Sequence, residues 1–368
     1  MKVVFRVDAS RQIGTGHVMR CLTLSRELSK HCVDVHFICR KHEGNLGEKI
    51  LDNGFNLHYL PENQSEEMVS ENDSQYGLWL GTTQSSDALE TNLVLEKISN
   101  SCVSNKGIDW LVVDHYALDI EWERRVKCHV KNIFVIDDLA IRQHECDVLL
   151  DQNYYKNLNH RYDDLVNDDC KLLLGPKYAM LREEFSNFKI KKIKAEGLCR
   201  IAVFYGGIDD VNETTKAINA LLTFLDDGLE VDVIVGKGNP HANHVRQLCE
   251  SHMNLHFFQD IKNMAERLCA VDVVFCAGGA TTWERCAVGV PGVVTSVAEN
   301  QVVLAETLDD IGAQIYLGAS EHTTIESYQN VVKQLLIQPN SLLGMREKSH
   351  ELVDGLGVER VCFTIIGH

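Results

Sequence analysis

The chain has 368 residues, with 36 Lys and Arg against 53 Asp and Glu, a formal charge of −17 with histidine neutral. So acidic a balance excludes nucleic acid and anionic membranes as partners, because these attract basic patches; a small anionic ligand held by backbone N–H groups stays open. With hydrophobic residues at 45% and charged residues at 24%, the composition is that of a globular protein long enough for two or three domains.

Val3–Val7 reads as the first strand. Arg6 and Asp8 interrupt the opening apolar stretch, so no export signal is expected, and no run approaches the roughly 18 apolar residues of a membrane span. The 13 cysteines, an odd number without a CxxC pair, point to free thiols in a reducing compartment and hence to the cytoplasm. After the strand comes Ile13-Gly14-Thr15-Gly16-His17-Val18-Met19-Arg20. A dinucleotide fingerprint needs glycine where Met19 stands, and no GxxxxGK occurs, so no nucleotide cofactor is expected. What remains is a turn at Gly14 and Gly16 that lets a ligand approach the backbone. His17 opens the helix that follows, whose apolar stripe is Val18, Cys21, Leu22, Leu24 and Leu28. A helix N-terminus disfavours the imidazolium and keeps a neutral ring available as a base; the plainer role is a histidine that caps or packs.

Val33–Cys39, Trp110–Val113, Ile133–Ile136 and Val148–Leu150 read as further strands, whose unbroken apolarity suits a parallel sheet covered on both faces. From Pro61 to Gly107 the chain turns polar and turn-rich, with a helix from Asp87 to Ile98. Asp114-His115-Tyr116 directly follows a buried strand, where it either faces a ligand or closes the strand with an Asx turn. Asp137-Asp138 and Asp151–Tyr154 stand in the same relation to their strands. The basic run from Lys189 to Lys194 reads as a linker, so 189–198 separates an N-terminal domain, 1–188, from a C-terminal one, 199–368.

The pattern then restarts: strand Arg200–Tyr205, turn Gly206-Gly207, a helix from Asn212, and strands Val231–Val235, Val271–Phe275 and Val290–Ser296. Two strand–glycine–helix openings predict an α/β protein of two Rossmann-like domains, parallel sheets facing across a cleft lined by the glycine turns. Gly278 and Gly279 open another helix. Its free N–H groups, through Ala280, with the Thr281 and Thr282 hydroxyls, can hold a diphosphate. Glu284 in its first turn either accepts both hydroxyls of a ribose or answers the helix dipole. Asn300 and Gln301 can add amide contacts. His241, His244, His252 and His256 come without HExxH or a carboxylate pattern and read as solvated surface, and His144-Glu145-Cys146-Asp147 is a weak metal signature; no metal is expected.

Together these segments resemble the PseG family, the UDP-diacetamido-trideoxy-altropyranose hydrolases of pseudaminic acid synthesis. The likeness runs in order over most of the chain. It comprises Arg6 and Asp8, GxGHxxR at Gly14–Arg20, Asp114-His115-Tyr116, VIDDLA at Val135–Ala140, CDVLLDQNY at Cys146–Tyr154, LLGPKYAMLREEF at Leu173–Phe185, and GG…TTWERC…GVP…NQ at Gly278–Gln301. GxGH also occurs in related nucleotide-sugar enzymes such as the MurG glycosyltransferases, whereas Asp114-His115-Tyr116 and CDVLLDQNY at Cys146–Tyr154 are more discriminating. The resemblance implies a GT-B fold with the last segment crossing back to the N-terminal domain. It also implies metal-independent C1–O cleavage with inversion, His17 as the base that activates water and Tyr116 assisting. It places Gly278–Thr282 on the diphosphate and Glu284 on the ribose; beside these, Asp8, Gly14, Gly16, Arg20, Asp114, Gly206, Gly207, Asn300 and Gln301 are read as further substrate contacts. For Arg20 two roles stay open, holding an anionic group or forming a surface pair. A MurG-like transferase, a hydrolase of an epimeric sugar and a nucleotide-sugar-binding protein are the competing readings. Oligomeric state is open.

Overall fold

A computed structural model describes residues 1–61, 76–100, 107–186 and 198–367, so the polar stretch 62–75 and the basic run 189–194 lie outside the described residues. The chain forms two compact units: Met1–Asn153 with Asn157–Met180 and Gly357–His368, and Tyr154–Lys156 with Leu181–Leu356.

In the first unit the order is β1 (Lys2–Val7), α1 (Gly16–Ser29), β2 (Asp34–Arg40), α2 (Gly47–Asp52), β3 (Asn56–Leu60), α3 (Gln84–Asn100), β4 (Ile108–Asp114), α4 (Ile120–Val126), β5 (Val130–Ile136), β6 (Val148–Asp151) and β7 (Lys171–Leu174). They build one parallel sheet in the order β3-β2-β1-β4-β5-β6-β7. The strand order reverses between β1 and β4, so the loops leaving those two strands frame the crevice where such sheets bind ligands. Val3, Phe5 and Val7 of β1 join the core that contains α1, while Val4 joins the one that contains α3 and α4. Burial on both faces is why the strand reads as an unbroken apolar run.

The exception within β1 is Arg6, wholly buried. It donates to Asp8 at 2.7 Å and to Asp87, in the first turn of α3, at 2.7 Å. Arg40 of β2 adds contacts to Asp87 at 2.8 Å and Glu90 at 2.6 Å, and the Trp122 indole N–H donates to Asp87 at 3.0 Å. Charges so deep are tolerated only when paired and hydrogen-bonded. The clasp therefore fixes α3, and the chain that leads into it, against β1 and β2.

In the second unit come α5 (Glu183–Ser186), β8 (Arg200–Phe204), α6 (Glu213–Leu221), β9 (Glu230–Val235), α7 (Ala242–Glu250), β10 (Leu255–Gln259), α8 (Met264–Cys269), β11 (Val273–Ala277), α9 (Thr281–Ala287), β12 (Gly292–Ser296), α10 (Val302–Asp310), β13 (Gln314–Ala319), α11 (Ile325–Ile337) and α12 (Asn340–Leu352). The sheet is again parallel, β10-β9-β8-β11-β12-β13. The division falls at Met180–Leu181, ahead of the basic run expected to mark it. The reason is that Glu184 accepts from the Ala265 N–H at 3.1 Å and Arg182 reaches Glu284 at 3.0 Å, tying α5 to the second unit.

The last helix, α13 (Gly357–Ile366), packs in the first unit, where Val358, Val361, Cys362 and Ile365 join the core of α1 and the Trp110 indole donates to the Ile365 carbonyl at 3.1 Å. Gly357 allows the approach: a Cβ there would lie 2.3 Å from the Ala179 carbonyl oxygen. Among the described residues no helix is long and apolar enough to cross a membrane.

Candidate active site

The turn between β1 and α1 folds on itself through Ser10, whose carbonyl accepts the Gly14 N–H at 2.9 Å and whose hydroxyl accepts the Ile13 N–H at 3.0 Å. Gly14 has φ +78°, a left-handed conformation that favours glycine. Gly16 opens α1, and a Cβ there would meet no atom within 4 Å, so packing does not demand a glycine. Thr15, at the helix N-cap, makes no side-chain cap hydrogen bond.

His17 is buried in the first turn of α1, and its Nδ1 lies 2.6 Å from Oδ1 of Asp114, the last residue of β4. Arg20, one turn on, grips the same carboxylate with Nε and Nη2, each at 2.6 Å, and extends Nη1 to Asp138 at 3.0 Å. Asp138 also accepts the Tyr116 hydroxyl, while the Tyr116 ring meets the His17 ring edge-on at 4.6 Å. Burial works against the charge on Asp114, but Arg20 and His17 outweigh it and hold its carboxyl well below the usual carboxylate range. Burial, reinforced by Asp138, pushes the Tyr116 phenol up. A carboxylate facing Nδ1 takes the proton on that nitrogen and leaves Nε2 with its lone pair, the arrangement of a histidine base oriented by an acid.

Two of the expected ligand contacts are buried and paired within the protein. Asp8 has no exposed surface: Oδ1 accepts from Arg6 and, at 2.7 Å, from the Arg40 N–H, and Oδ2 lies 3.3 Å from His115 Nε2. Asp114 is likewise buried and spends both oxygens on His17 and Arg20. Both carboxylates sit behind the turn and hold it. Arg20 is not a surface pair but part of this cluster.

Behind Tyr116, Arg142 donates to the carbonyls of His115, Tyr116 and Leu118 and to Asp137. Asp137 continues to Tyr162, whose hydroxyl reaches Asp151 at 3.1 Å, and Arg161 closes on Asp151 at 3.0 Å. His144 is buried between Glu123 at 2.6 Å and Asp137 at 3.8 Å.

In the second unit, Gly206 has φ +92° and the Gly207 backbone lies against Gly236, where a Cβ would fall 2.2 Å from the Gly207 carbonyl oxygen. The adjoining helix end is occupied: Asp209 accepts the N–H groups of Glu213 and Thr214 at 2.9 and 3.0 Å. The turn ahead of α9 differs. Among the described residues nothing bonds the N–H groups of Gly279, Ala280 and Thr281, whereas the Thr282 N–H is taken by the Gly279 carbonyl at 2.9 Å. The Thr282 hydroxyl is buried without a hydrogen-bond partner. Gln301 packs on the turn, 3.2 Å from where a Gly278 Cβ would be, and accepts the Val297 N–H at 3.1 Å; Asn300 beside it is exposed. Burial pushes the Glu284 carboxyl up, and Arg182 at 3.0 Å partly offsets this.

Sequence reasoning singled out His17, Asp114 and Tyr116 without seeing that Arg20 and Asp138 bind them into one cluster. It missed Arg142, Arg182 and Asp87; an acid on the buried side of a helix was the available sign for the last.

Residues 200–357 match the C-terminal domain of glycosyltransferase family 28. The UDP-2,4-diacetamido-2,4,6-trideoxy-beta-L-altropyranose hydrolase of Campylobacter jejuni is 26% identical over 72% of this chain and 81% of that protein. Spore coat polysaccharide biosynthesis protein SpsG of Bacillus subtilis is 22% identical over 98% of this chain and 96% of its own length. MurG of Acinetobacter baumannii aligns with a TM-score of 0.68 at 14% identity, covering 100% of this chain and 99% of that one. The fold is of the GT-B type.

Proposed function

We propose that this protein is a cytoplasmic hydrolase of a UDP-linked diacetamido-trideoxy-altrose, cleaving the C1–O bond with inversion to give UDP and the free sugar for pseudaminic acid synthesis. The observation that carries the reading is the 2.6 Å contact of His17 Nδ1 with Asp114. It leaves Nε2 to take a proton from water as the water oxygen attacks C1. The electron pair of the C1–O bond departs with UDP, and attack opposite that bond inverts the centre. UDP leaves readily, so the water is the reactant that needs help, and a placed base typically contributes about 10²–10⁴-fold. Tyr116, held by Asp138 against the His17 ring, assists. The unpaired N–H groups before α9 and the orphaned Thr282 hydroxyl suit a diphosphate, and Glu284 a ribose.

Sequence similarity to the Campylobacter hydrolase supports the sugar class. The match of residues 200–357 to a glycosyltransferase domain supports a second reading, in which an acceptor hydroxyl replaces water. Incubation with the UDP-sugar in oxygen-18 water, without acceptor, separates them. Hydrolysis places label at C1 of the sugar and none in UDP, and His17→Asn abolishes it while UDP still binds. No UDP release without acceptor would sink the hydrolase reading.

A further inference from the structure

The chain leading into α3 brings two aromatic rings to the neighbourhood of His17. Trp79 lies on a short helical turn, Gly77–Leu80, which begins directly after Tyr76 and reverses at Gly81 with φ +69°. Their rings meet at 4.9 Å. Both reach the Tyr116 ring, Tyr76 edge-on at 5.2 Å and Trp79 stacked at 5.8 Å. The turn is anchored on its far side by the Asp87 clasp and by Gln84, whose amide donates to Asp119 at 2.9 Å. Core packing does not explain the indole: Trp110, Trp122 and Trp283 are at most 2% exposed, whereas Trp79 stays partly exposed and its neighbour Leu78 is 66% exposed. Apolar surface kept together beside a polar site is a feature of ligand-binding surfaces. The two cations touching His17 and Tyr116 are already committed, Arg20 to Asp114 and Asp138, Arg142 to Asp137. Among the described residues these arginines leave no spare positive charge in this cluster for an acidic sugar.

We propose that Tyr76 and Trp79 form an aromatic subsite for an uncharged sugar with apolar substituents, receiving its C–H face or its acyl and deoxy methyl groups, and so select which UDP-sugar is accepted. This rests on the nucleotide-sugar reading of His17.

Binding is measured first in His17→Asn, which holds substrate without consuming it. Because the buried tryptophans also emit and Trp283 follows Thr282, the Trp79 signal is taken as the difference between this variant and the same variant carrying Trp79→Phe. A UDP-linked N-acylated deoxy-sugar should change that signal where UDP alone does not. In calorimetry, adding Trp79→Ala should weaken that ligand about tenfold and leave UDP unchanged. In turnover, Trp79→Ala should raise KM about tenfold with kcat within about twofold. It should also narrow the preference for the N-acylated deoxy-sugar over UDP-glucose, and Trp79→Phe should retain most of that preference. Identical emission changes with UDP and with UDP-sugar, or unchanged binding and preference in Trp79→Ala, overturn the subsite. If Trp79→Ala does not fold, the emission comparison and Trp79→Phe decide. A sugar-dependent emission change in a wild-type protein that hydrolyses nothing counts against the hydrolase reading and for the subsite.

Discussion

His17 and Asp114 stand 97 residues apart in the chain and 2.6 Å apart in the fold, joining the first turn of α1 to the end of β4. Neighbouring strands of a parallel sheet bring them together: β1 pairs with β4 in register, Val7 beside Asp114, so the loop leaving one strand meets the last residue of the other.

Asp114→Asn should therefore damage catalysis more than binding. An amide can accept from Nδ1–H or, turned over, donate to Nδ1 and put the proton on Nε2, removing the base. UDP release should slow at least about 10²-fold, with UDP affinity by calorimetry unchanged. A rate within a few-fold of wild type would show that His17 needs no orienting acid.

The clasp around Asp87 should behave as a buried ion pair does when one partner is removed. Asp87→Asn leaves Arg6 and Arg40 short of a carboxylate in the core and should cost about 3–5 kcal/mol in urea unfolding. A cost below about 1 kcal/mol, the range of a surface pair, would mean the charges are solvated.

Stability should also fall on the alkaline side of neutrality. Burial opposes a charge on His144, but its hydrogen bonds to the carboxylates of Asp137 and Glu123 outweigh this and raise the imidazole from 6.5 to about 9. The native state thus binds this proton more tightly than the unfolded chain. Its stabilisation is complete below pH 6.5 and fades as pH rises through about 9. Burial and Asp138 raise Asp151 from 3.8 to about 7, so its contribution fades earlier, over that lower range. Thermal midpoints should decline across both windows, and His144→Gln should flatten the upper one. An unaltered upper slope in that variant would assign the decline to other groups.

Thr282 offers a separation of binding from folding. Its hydroxyl is buried and bonds nothing among the described residues, so Thr282→Val should leave stability equal or slightly higher. If the hydroxyl serves the diphosphate, UDP affinity should fall about tenfold, roughly one charge-assisted hydrogen bond. Unchanged affinity would remove Thr282 from the site.

What the sequence made legible follows burial. The strands it pointed to, β1, β2, β4, β5, β6, β8, β9, β11 and β12, are interior to their sheets. The four it passed over, β3, β7, β10 and β13, are the four sheet edges. An edge strand is covered on fewer sides, so Asn56–Leu60 and Leu255–Gln259 carry polar residues and partly exposed side chains in place of an apolar run. His17, Tyr116 and the glycine turns could be singled out because each follows a strand. The work of Asp87 is harder to see, since Arg6 and Arg40, which pair with it, stand 81 and 47 residues away on β1 and β2.

The placement of α13 has a consequence for synthesis. Four side chains of the core around α1 arrive on α13, a helix made more than three hundred residues after α1 itself. The first unit is thus begun before the second and completed after it. Until then its α1 face stays uncovered, while the second domain, contiguous but for three residues, can close ahead of it.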